Sequence, residues 1–466
     1  MALLLCRLAA AESGELTVDF SKTNGLIRPL HGVNLGPLCY RGTVDLSAYH
    51  REIGVPLTRL HDVVWLNAEA VDIHTIFPDF RNDPAREESY DFRQTDDYVQ
   101  SILNVGSQIV YRLGESIEHT SRKYRVNPPP DPEKWAAICV GLIRHYNDGW
   151  AGGFRHRLRY WEIWNEPDVR PSMWTGNDAQ FFRLFEVTAK AIRARFPDVK
   201  VGGPAVGGTG HFAPDAFQPA PFMTNFLAYC RAHAVPLDFF SWHRYTSDPW
   251  DLPRRAKAVR QVLDSFDFKN TESHLNEWNY LPRDDWRPML KDGQGASRAA
   301  WYAEMGGPAG AAFAATALML LQDAPLDAAN YYTGEIQGFG LFDIHGVPKK
   351  TFHAFRAFRR LLDAPVRVEA QGAATSERRA ICAGVNLDKS QATVLVSCCK
   401  SGPSPLHLTL KNLPWNGASD FEVRMVDAAH DLEKVREGRI EGLAASLPLT
   451  FETPGVALVV LRQARR

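Results

Sequence analysis

Two glutamates stand in settings that suit acid–base chemistry. In Tyr160-Trp161-Glu162-Ile163-Trp164-Asn165-Glu166-Pro167-Asp168 an aromatic and β-branched run stops at Asn-Glu-Pro, because a residue before proline is pushed out of the α region and proline cannot extend a ladder. Glu166 is therefore expected at the carboxyl end of a strand. A second run, Leu275-Asn276-Glu277-Trp278-Asn279, puts Glu277 near the end of another strand. Two opposed carboxylates are what hydrolysis of a glycosidic bond demands: one protonates the departing oxygen, and the other attacks the anomeric carbon or activates water. The competing reading of a lone Asn-Glu-Pro is a surface glutamate ending a core strand. The elements that would position the pair decide between these.

From residue 25 onward, short apolar runs alternate with amphipathic ones, the rhythm of successive βα units around a parallel sheet. The pattern predicts strands at Leu30–Asn34, Leu57–His61, Gln108–Leu113, Leu158–Trp164, Lys200–Gly203, Asp238–His243, Ser273–Trp278 and Ala328–Tyr332. Helices with 3.6-period apolar faces are predicted over Pro132–Tyr146, Ala179–Phe196 and Pro221–Ala234, and Lys350–Leu362 closes the series. The fold class is α/β, a (β/α)8 TIM barrel over residues 25–363. A doubly wound sheet would want a Gly-x-Gly-x-x-Gly turn after an early strand. Gly202-Gly203-Pro204 and Gly207-Gly208 come late and lack that spacing, so they read as tight-turn residues.

After Ala364 the runs Val366–Glu369, Ala380–Asn386, Ala392–Ser397, Leu406–Leu410, Phe421–Val426 and Val456–Leu461 are short and strand-like, predicting a β-sandwich over residues 364–466. The strand at residues 14–24, alternating in Glu15–Phe20, is expected to join its edge. In the barrel, strands four and seven lie on opposite sides, so Glu166 and Glu277 would face each other across the carboxyl-terminal mouth, where such barrels place their chemistry.

Other strand ends supply supporting groups. Arg59 and His61 differ by two and share a face, as do His243 and Tyr245. A guanidinium and a phenol beside a carboxylate hold it ionised and oriented, which suits a nucleophile. Each of the four, taken singly, reads equally as a satisfied core residue. Among Trp174, Trp242, Trp278, Tyr280 and Tyr332, Trp174 follows Glu166 closely and is the candidate to stack on a sugar ring. His274 and Glu277 differ by three and would point to opposite faces of a strand, and no His-Glu-x-x-His occurs, so neither a metal nor a cofactor is expected.

Composition narrows the partner. With 53 basic and 54 acidic residues the formal charge is −1, which favours neither nucleic acid nor an anionic membrane. The longest largely apolar run, Pro308–Leu321, is too short to span a bilayer and reads as a buried Ala-rich helix. Seven scattered cysteines without Cys-x-x-Cys spacing indicate neither a disulfide framework nor zinc. Met1–Ala11 is apolar but interrupted by Arg7; it reads as a greasy terminus of a cytoplasmic protein, the alternative being a trimmed signal peptide of a secreted or periplasmic one. A neutral oligosaccharide or glycoside is the expected partner, and no feature of the sequence sets an oligomeric state.

Together, Trp164-Asn165-Glu166-Pro167, the Glu277 strand, His243-x-Tyr245 and Arg59-x-His61 resemble the retaining (β/α)8 glycoside hydrolases. The early Thr17-Val18-Asp19-Phe20-Ser21 strand and the segment Gly340-Leu341-Phe342 … Gly346-Val347-Pro348-Lys349 narrow the resemblance to glycoside hydrolase family 39, which includes β-xylosidases and α-L-iduronidase. The resemblance spans about residues 15 to 360. It implies Glu166 as acid/base, Glu277 as nucleophile, Asn165 as partner of the sugar hydroxyl beside the anomeric carbon, and Tyr245 and Arg59 as residues that orient Glu277. Two departures bear on the sugar: Tyr332-Thr333-Gly334-Glu335 has one glutamate where the xylosidases carry a pair, and Arg112-Leu113-Gly114-Glu115 replaces the usual Phe-Met-Pro. The implied activity is retaining, β-xylosidase-like cleavage of plant-type oligosaccharides or glycosides. Alternatives are release of arabinose, galactose or a uronic acid, the last held by Arg112 or Arg244. Alternatives of other classes are a non-catalytic carbohydrate-binding barrel and a metal-dependent hydrolase or isomerase.

Overall fold

The computed structural model describes residues 14–464, apart from 215, 291, 292, 377 and 453. The apolar stretch Met1–Ala11 lies outside the described residues. Eight parallel strands close into a barrel in chain order: β1 (Gly32–Asn34), β2 (Leu57–Leu60), β3 (Gln108–Leu113), β4 (Tyr160–Ile163), β5 (Lys200–Val206), β6 (Phe239–Thr246), β7 (Glu272–Tyr280) and β8 (Ala328–Tyr331).

The helices form where the sequence terminates and amphipathically patterns them. Pro132–Asn147 begins on Asp131, whose carboxylate accepts from the Lys134 amide, with proline in the first turn where no intrahelical amide is needed. Asp178–Arg195 begins with a reciprocal capping box between Asn177 and Gln180 and buries Phe181, Phe182, Phe185 and Ile192 on one face.

Two local departures from the expected strands matter to the site. Gly202 and Gly203 lie inside β5 rather than in a turn, and the reason is close packing. A Cβ on Gly202 would stand 2.2 Å from the Phe239 carbonyl oxygen, and one on Gly203 would stand 2.8 Å from that of Ile163. The second departure is a register shift between β6 and β7: Trp242 pairs with Leu275, but His243 pairs with Glu277. Asn276 is the extra residue, and such a bulge re-aims the side chains that follow it. Strict alternation would send Asn276 and Glu277 to opposite faces. Both instead reach into the barrel, Asn276 to Glu162 and Glu277 to Arg59. The parity that separates His274 from Glu277 therefore fails. Distance along the strand separates them instead, His274 being engaged with Glu272 and stacked on Phe239 at the amino end of β7.

By their contacts the residues fall into two compact units, Pro29–Asp292 with Asp323–Val347, and the remainder. Helices Gly295–Gly306, Pro308–Leu320 and Lys350–Leu361 fall in the second unit. That unit holds a nine-stranded sheet in the order Asp431–Ile440, Ser419–Val426, Gly455–Gln463, Gln391–Cys398, Arg379–Val385, Val366–Gln371, Gly14–Leu26, Ser404–Lys411 and Ala445–Phe451. The N-terminal strand lies within the sheet rather than at its edge, antiparallel to Val366–Gln371 and parallel to Ser404–Lys411, with Leu16, Val18 and Phe20 buried on alternate positions.

The two strands not foreseen, Asp431–Ile440 and Ala445–Phe451, are the outermost ones. The first is charged and exposed along most of its length, and the second carries Pro448, features that guard a free edge and mask a strand's apolar pattern. The Ala-rich helix Pro308–Leu320 is buried from Gly310 to Met319, and its Ala312 carbonyl accepts from the Ser397 hydroxyl at 2.9 Å. No single described helix is long and apolar enough to cross a membrane.

Candidate active site

The interior of the barrel is organised on Arg59, whose side chain is fully buried on β2. Its Nε donates to Glu162 at 2.6 Å, one terminal nitrogen donates to Glu277 at 2.9 Å and to Asn34 at 3.2 Å, and the other donates to Asn165 at 2.6 Å. The guanidinium thus ties β1, β4 and β7 to β2. Glu162 accepts in addition from the Asn276 amide. A buried cation without these carboxylates would carry a large desolvation cost. Despite burial, Glu162 and Glu277 push the Arg59 pKa above its ordinary value.

The two predicted glutamates converge on this frame. Glu277 Oε1 takes the Arg59 bond, and Oε2 accepts from the Tyr245 hydroxyl at 2.8 Å. His243 Nδ1 lies 2.7 Å from Glu166 Oε1 and 3.4 Å from Glu277 Oε2, and one oxygen of each glutamate and this nitrogen all lie within 4.8 Å of one another. Glu166 sits at φ 45°, just past Trp164 at φ 71°, so the chain turns through left-handed conformations at the end of β4. Its amide donates to the Ala205 carbonyl at 2.9 Å, which fixes the turn against β5.

The electrostatic settings of the pair differ. Burial raises the Glu166 pKa first, nearby Asp168 raises it further, and more distant Arg59 offsets only part, leaving it at about 8. Burial also raises Glu277, but the Arg59 charge and the Tyr245 hydrogen bond oppose it. Burial keeps His243 below its usual range despite Glu277, so the imidazole between the carboxyls is neutral at pH 7.

Glu166, His243 and Glu277 also form a donor set that could hold an ion, as do Glu69, Asp72 and His74. In the first set the Arg59 guanidinium already occupies Glu277 and repels a second cation. In the second, Asp72 is committed to Arg112 at 2.5 Å and to the Ser116 amide at 2.6 Å.

The model of glycosyl hydrolases family 39 matches residues 8–386. The chain belongs to this family. A β-xylosidase of Geobacillus stearothermophilus is 30% identical over 266 residues, covering 52% of this chain and 49% of that protein. One from Caldicellulosiruptor saccharolyticus is 26% identical over 402 residues, covering 76% of this chain and 73% of that protein. The chain thus spans about half the length of the first relative. Among solved structures, a glucosidase from Croceicoccus marinus superposes with a TM-score of 0.80 at 23% identity, over 97% of this chain and 99% of that one. The family 39 fold, a TIM barrel with a β-sandwich, is therefore the fold of this chain.

Within the family 39 barrel, Glu166, Glu277, Asn165, Arg59, His243 and Tyr245 meet in one network. His61 stands beside it: its Nε2 faces Asp62 at 3.2 Å rather than either glutamate, and burial with the charges of Arg112 and Arg59 keeps it neutral. Trp174 requires correction as a sugar platform. It has no exposed surface, its indole N–H donates to the Asn177 carbonyl, and its ring meets Trp164 and Phe181 edge-on, so it is core. Trp242 and Trp278 are likewise fully buried. Trp286 is an exposed aromatic beside Tyr245, 38% exposed, with its ring 5.1 Å from that of Tyr245.

Asn34, Glu162, Asn276, Asp168 and Trp286 escaped the sequence reading. For Glu162 a signal existed: a charged residue inside an aromatic strand, two before Trp164 and inward-facing by parity. Trp286 lies in a loop with no periodicity to place it.

Proposed function

We propose that this family 39 member is a retaining glycoside hydrolase that removes terminal β-xylosyl residues from short oligosaccharides or glycosides. The observation that carries the reading is the proximity of the Glu166 and Glu277 oxygens, within 4.8 Å, with Arg59 and Tyr245 donating to Glu277 and not to Glu166. Retaining enzymes hold their carboxyls about 5–5.5 Å apart, whereas inverting ones leave about 6.5–9.5 Å for a water.

In the first step Glu277 attacks the anomeric carbon while Glu166 gives its proton to the leaving oxygen. In the second, Glu166, now a carboxylate, takes a proton from water, and that water displaces Glu277 from the sugar. Asn165, oriented by Arg59, offers its amide to the hydroxyl beside the anomeric carbon. Trp286 offers an apolar face beside Tyr245.

Two relatives named β-xylosidase support the sugar assignment. Two ion pairs weigh against a uronic acid: Arg112 is paired with Asp72 and Arg244 Nε with Asp251 at 2.6 Å, so a sugar carboxylate would compete with an acid already held by each arginine. Glu335 and Asp62, both raised by burial, add acidic rather than basic groups to the barrel's carboxyl-terminal end.

The test is a panel of aryl xyloside, arabinosides, galactoside, glucoside, glucuronide and iduronide, with the first-formed anomer read by NMR. Fastest cleavage of the β-xyloside with the β-anomer released first is expected. Release of the α-anomer would refute retention, and a preferred uronide would refute the sugar assignment.

A further inference from the structure

Asp168 has no part in the two-carboxylate scheme, yet its surroundings are specific. Its Oδ1 accepts from the Gly207 amide at 3.0 Å and its Oδ2 from the Gly208 amide at 2.9 Å. These glycines immediately follow β5, so Asp168 latches the β5 end to the turn carrying Glu166. The same joint is closed from the other side by the Glu166 amide on the Ala205 carbonyl, and Ala205, like Glu166, is left-handed, at φ 55°. Gly207 must approach closely: a Cβ there would stand 2.9 Å from Glu166 Oε1 and 2.8 Å from the Val169 side chain. The glycine–glycine turn is therefore seated directly against the Glu166 carboxyl, and Asp168 is what holds it there.

We propose that Asp168 is a positioning residue: it clamps the Gly207–Gly208 turn against Glu166 and keeps a negative charge beside it, so that Glu166 is aimed and retains its proton for the leaving group. The assignment rests on the reading of Glu166 as acid/base. The other groups facing Glu166 are Arg59, which favours its ionised form, Asp62, which opposes it, and neutral His243 and Glu277 on β6 and β7. Asp168 is the like charge that acts most strongly on it, and a like charge close by disfavours ionisation. Burial raises Asp168 itself, but the Gly207 and Gly208 amides work against that rise. Two amides aimed at the two oxygens are the arrangement that favours a carboxylate.

The experiment uses the full chain and two aryl glycosides of the sugar that the wild type cleaves, one with phenol and one with 2,4-dinitrophenol as leaving group. Glu166→Ala first tests the underlying reading: it should abolish phenyl glycoside cleavage far more than dinitrophenyl glycoside cleavage, since dinitrophenolate leaves without a proton. Equal losses would overturn the acid/base reading, whatever Asp168 does. With that split in hand, Asp168→Asn is expected to move the alkaline limb of kcat/KM for the phenyl glycoside to lower pH by about one unit. It should also cost the phenyl substrate more than the dinitrophenyl one. An unmoved limb, or equal losses on both substrates at every pH, overturns the proposal. Gly207→Ala retains the charge and crowds the carboxyl, so phenyl glycoside cleavage should drop at least about tenfold, because misplacing a catalytic group by about 1 Å costs about 10²-fold, while the alkaline limb does not move to lower pH. Wild-type phenyl glycoside cleavage by Gly207→Ala would overturn the proposal even if Asp168→Asn failed to fold.

Discussion

The two carboxyls of the barrel mouth, Glu277 at 6% side-chain exposure and Glu166 at 19%, are opposite in company. Glu277 lies within a long strand, beside a bulge that turns it inward, and each of its oxygens receives a donor, one of them cationic. Glu166 lies on a left-handed turn after a short strand, receives no guanidinium, and has Asp168 as a close neighbour. Burial alone raises both pKa values; the donors and charges around each glutamate distinguish them. Such asymmetry lets one member of a pair serve as an ionised nucleophile while the other stores a proton.

The largest effect that would break this comparison comes from Glu277→Ala, for which turnover should fall by about 10⁴-fold or more, as removal of a nucleophile does. A 2-fluoro glycoside should label Glu277 in the intact protein, detected by peptide mass spectrometry, and labelling at Glu166 would reverse the roles.

Next comes Glu166→Gln, expected to lower kcat by about 10²–10⁴-fold on a phenyl glycoside. Because the protonated form is active, wild-type kcat/KM should fall as pH rises through about 8. That limb should be missing from the variant, and an alkaline limb shared by both would point to another group. The acid limb, set by ionisation of Glu277, should lie above the ordinary glutamate range, since its pKa is raised.

Tyr245→Phe removes one of the two donors on Glu277. A hydrogen bond to a charged group contributes about 1.5–3 kcal/mol, so a loss of about 10–100-fold in kcat/KM is expected, together with an acid limb moved to higher pH. An unchanged acid limb would mean that the other groups around Glu277, Arg59 among them, set its ionisation without Tyr245.

The smallest effect separates two tryptophans. Trp286→Ala should raise KM by a few-fold through lost stacking, with about 1 kcal/mol at stake. Trp174→Phe should leave KM alone and lower the unfolding midpoint in urea, because that ring is wholly core.

Much of this site was legible because its residues sit on strands. Arg59, His243 and Tyr245 obey a two-residue period, Glu277 follows from a count of strands, and chemistry at the carboxyl ends of barrel strands follows from the fold. Legibility failed where a local irregularity breaks the period. The extra residue at Asn276 cancels the parity that separates His274 from Glu277, and the glycines of β5 are strand residues because Phe239 and Ile163 press on them. It failed again in loops, where Trp174 turns into the core and Trp286 turns out. The same physics hides the outer sandwich strands, whose edge-guarding charges and proline erase the pattern that marks a strand.

The sequence by itself determined the eight βα units, the strand ends bearing Glu166 and Glu277 and the family to which they belong, because hydrophobic periodicity and proline stops are local properties of a chain. Only the tertiary structure decided which glutamate carries the donors and which the like charge. Arg59, Tyr245, Asp168 and the Gly207–Gly208 turn come from different parts of the chain, and electrostatic interactions depend on distances through space that no spacing along the sequence encodes.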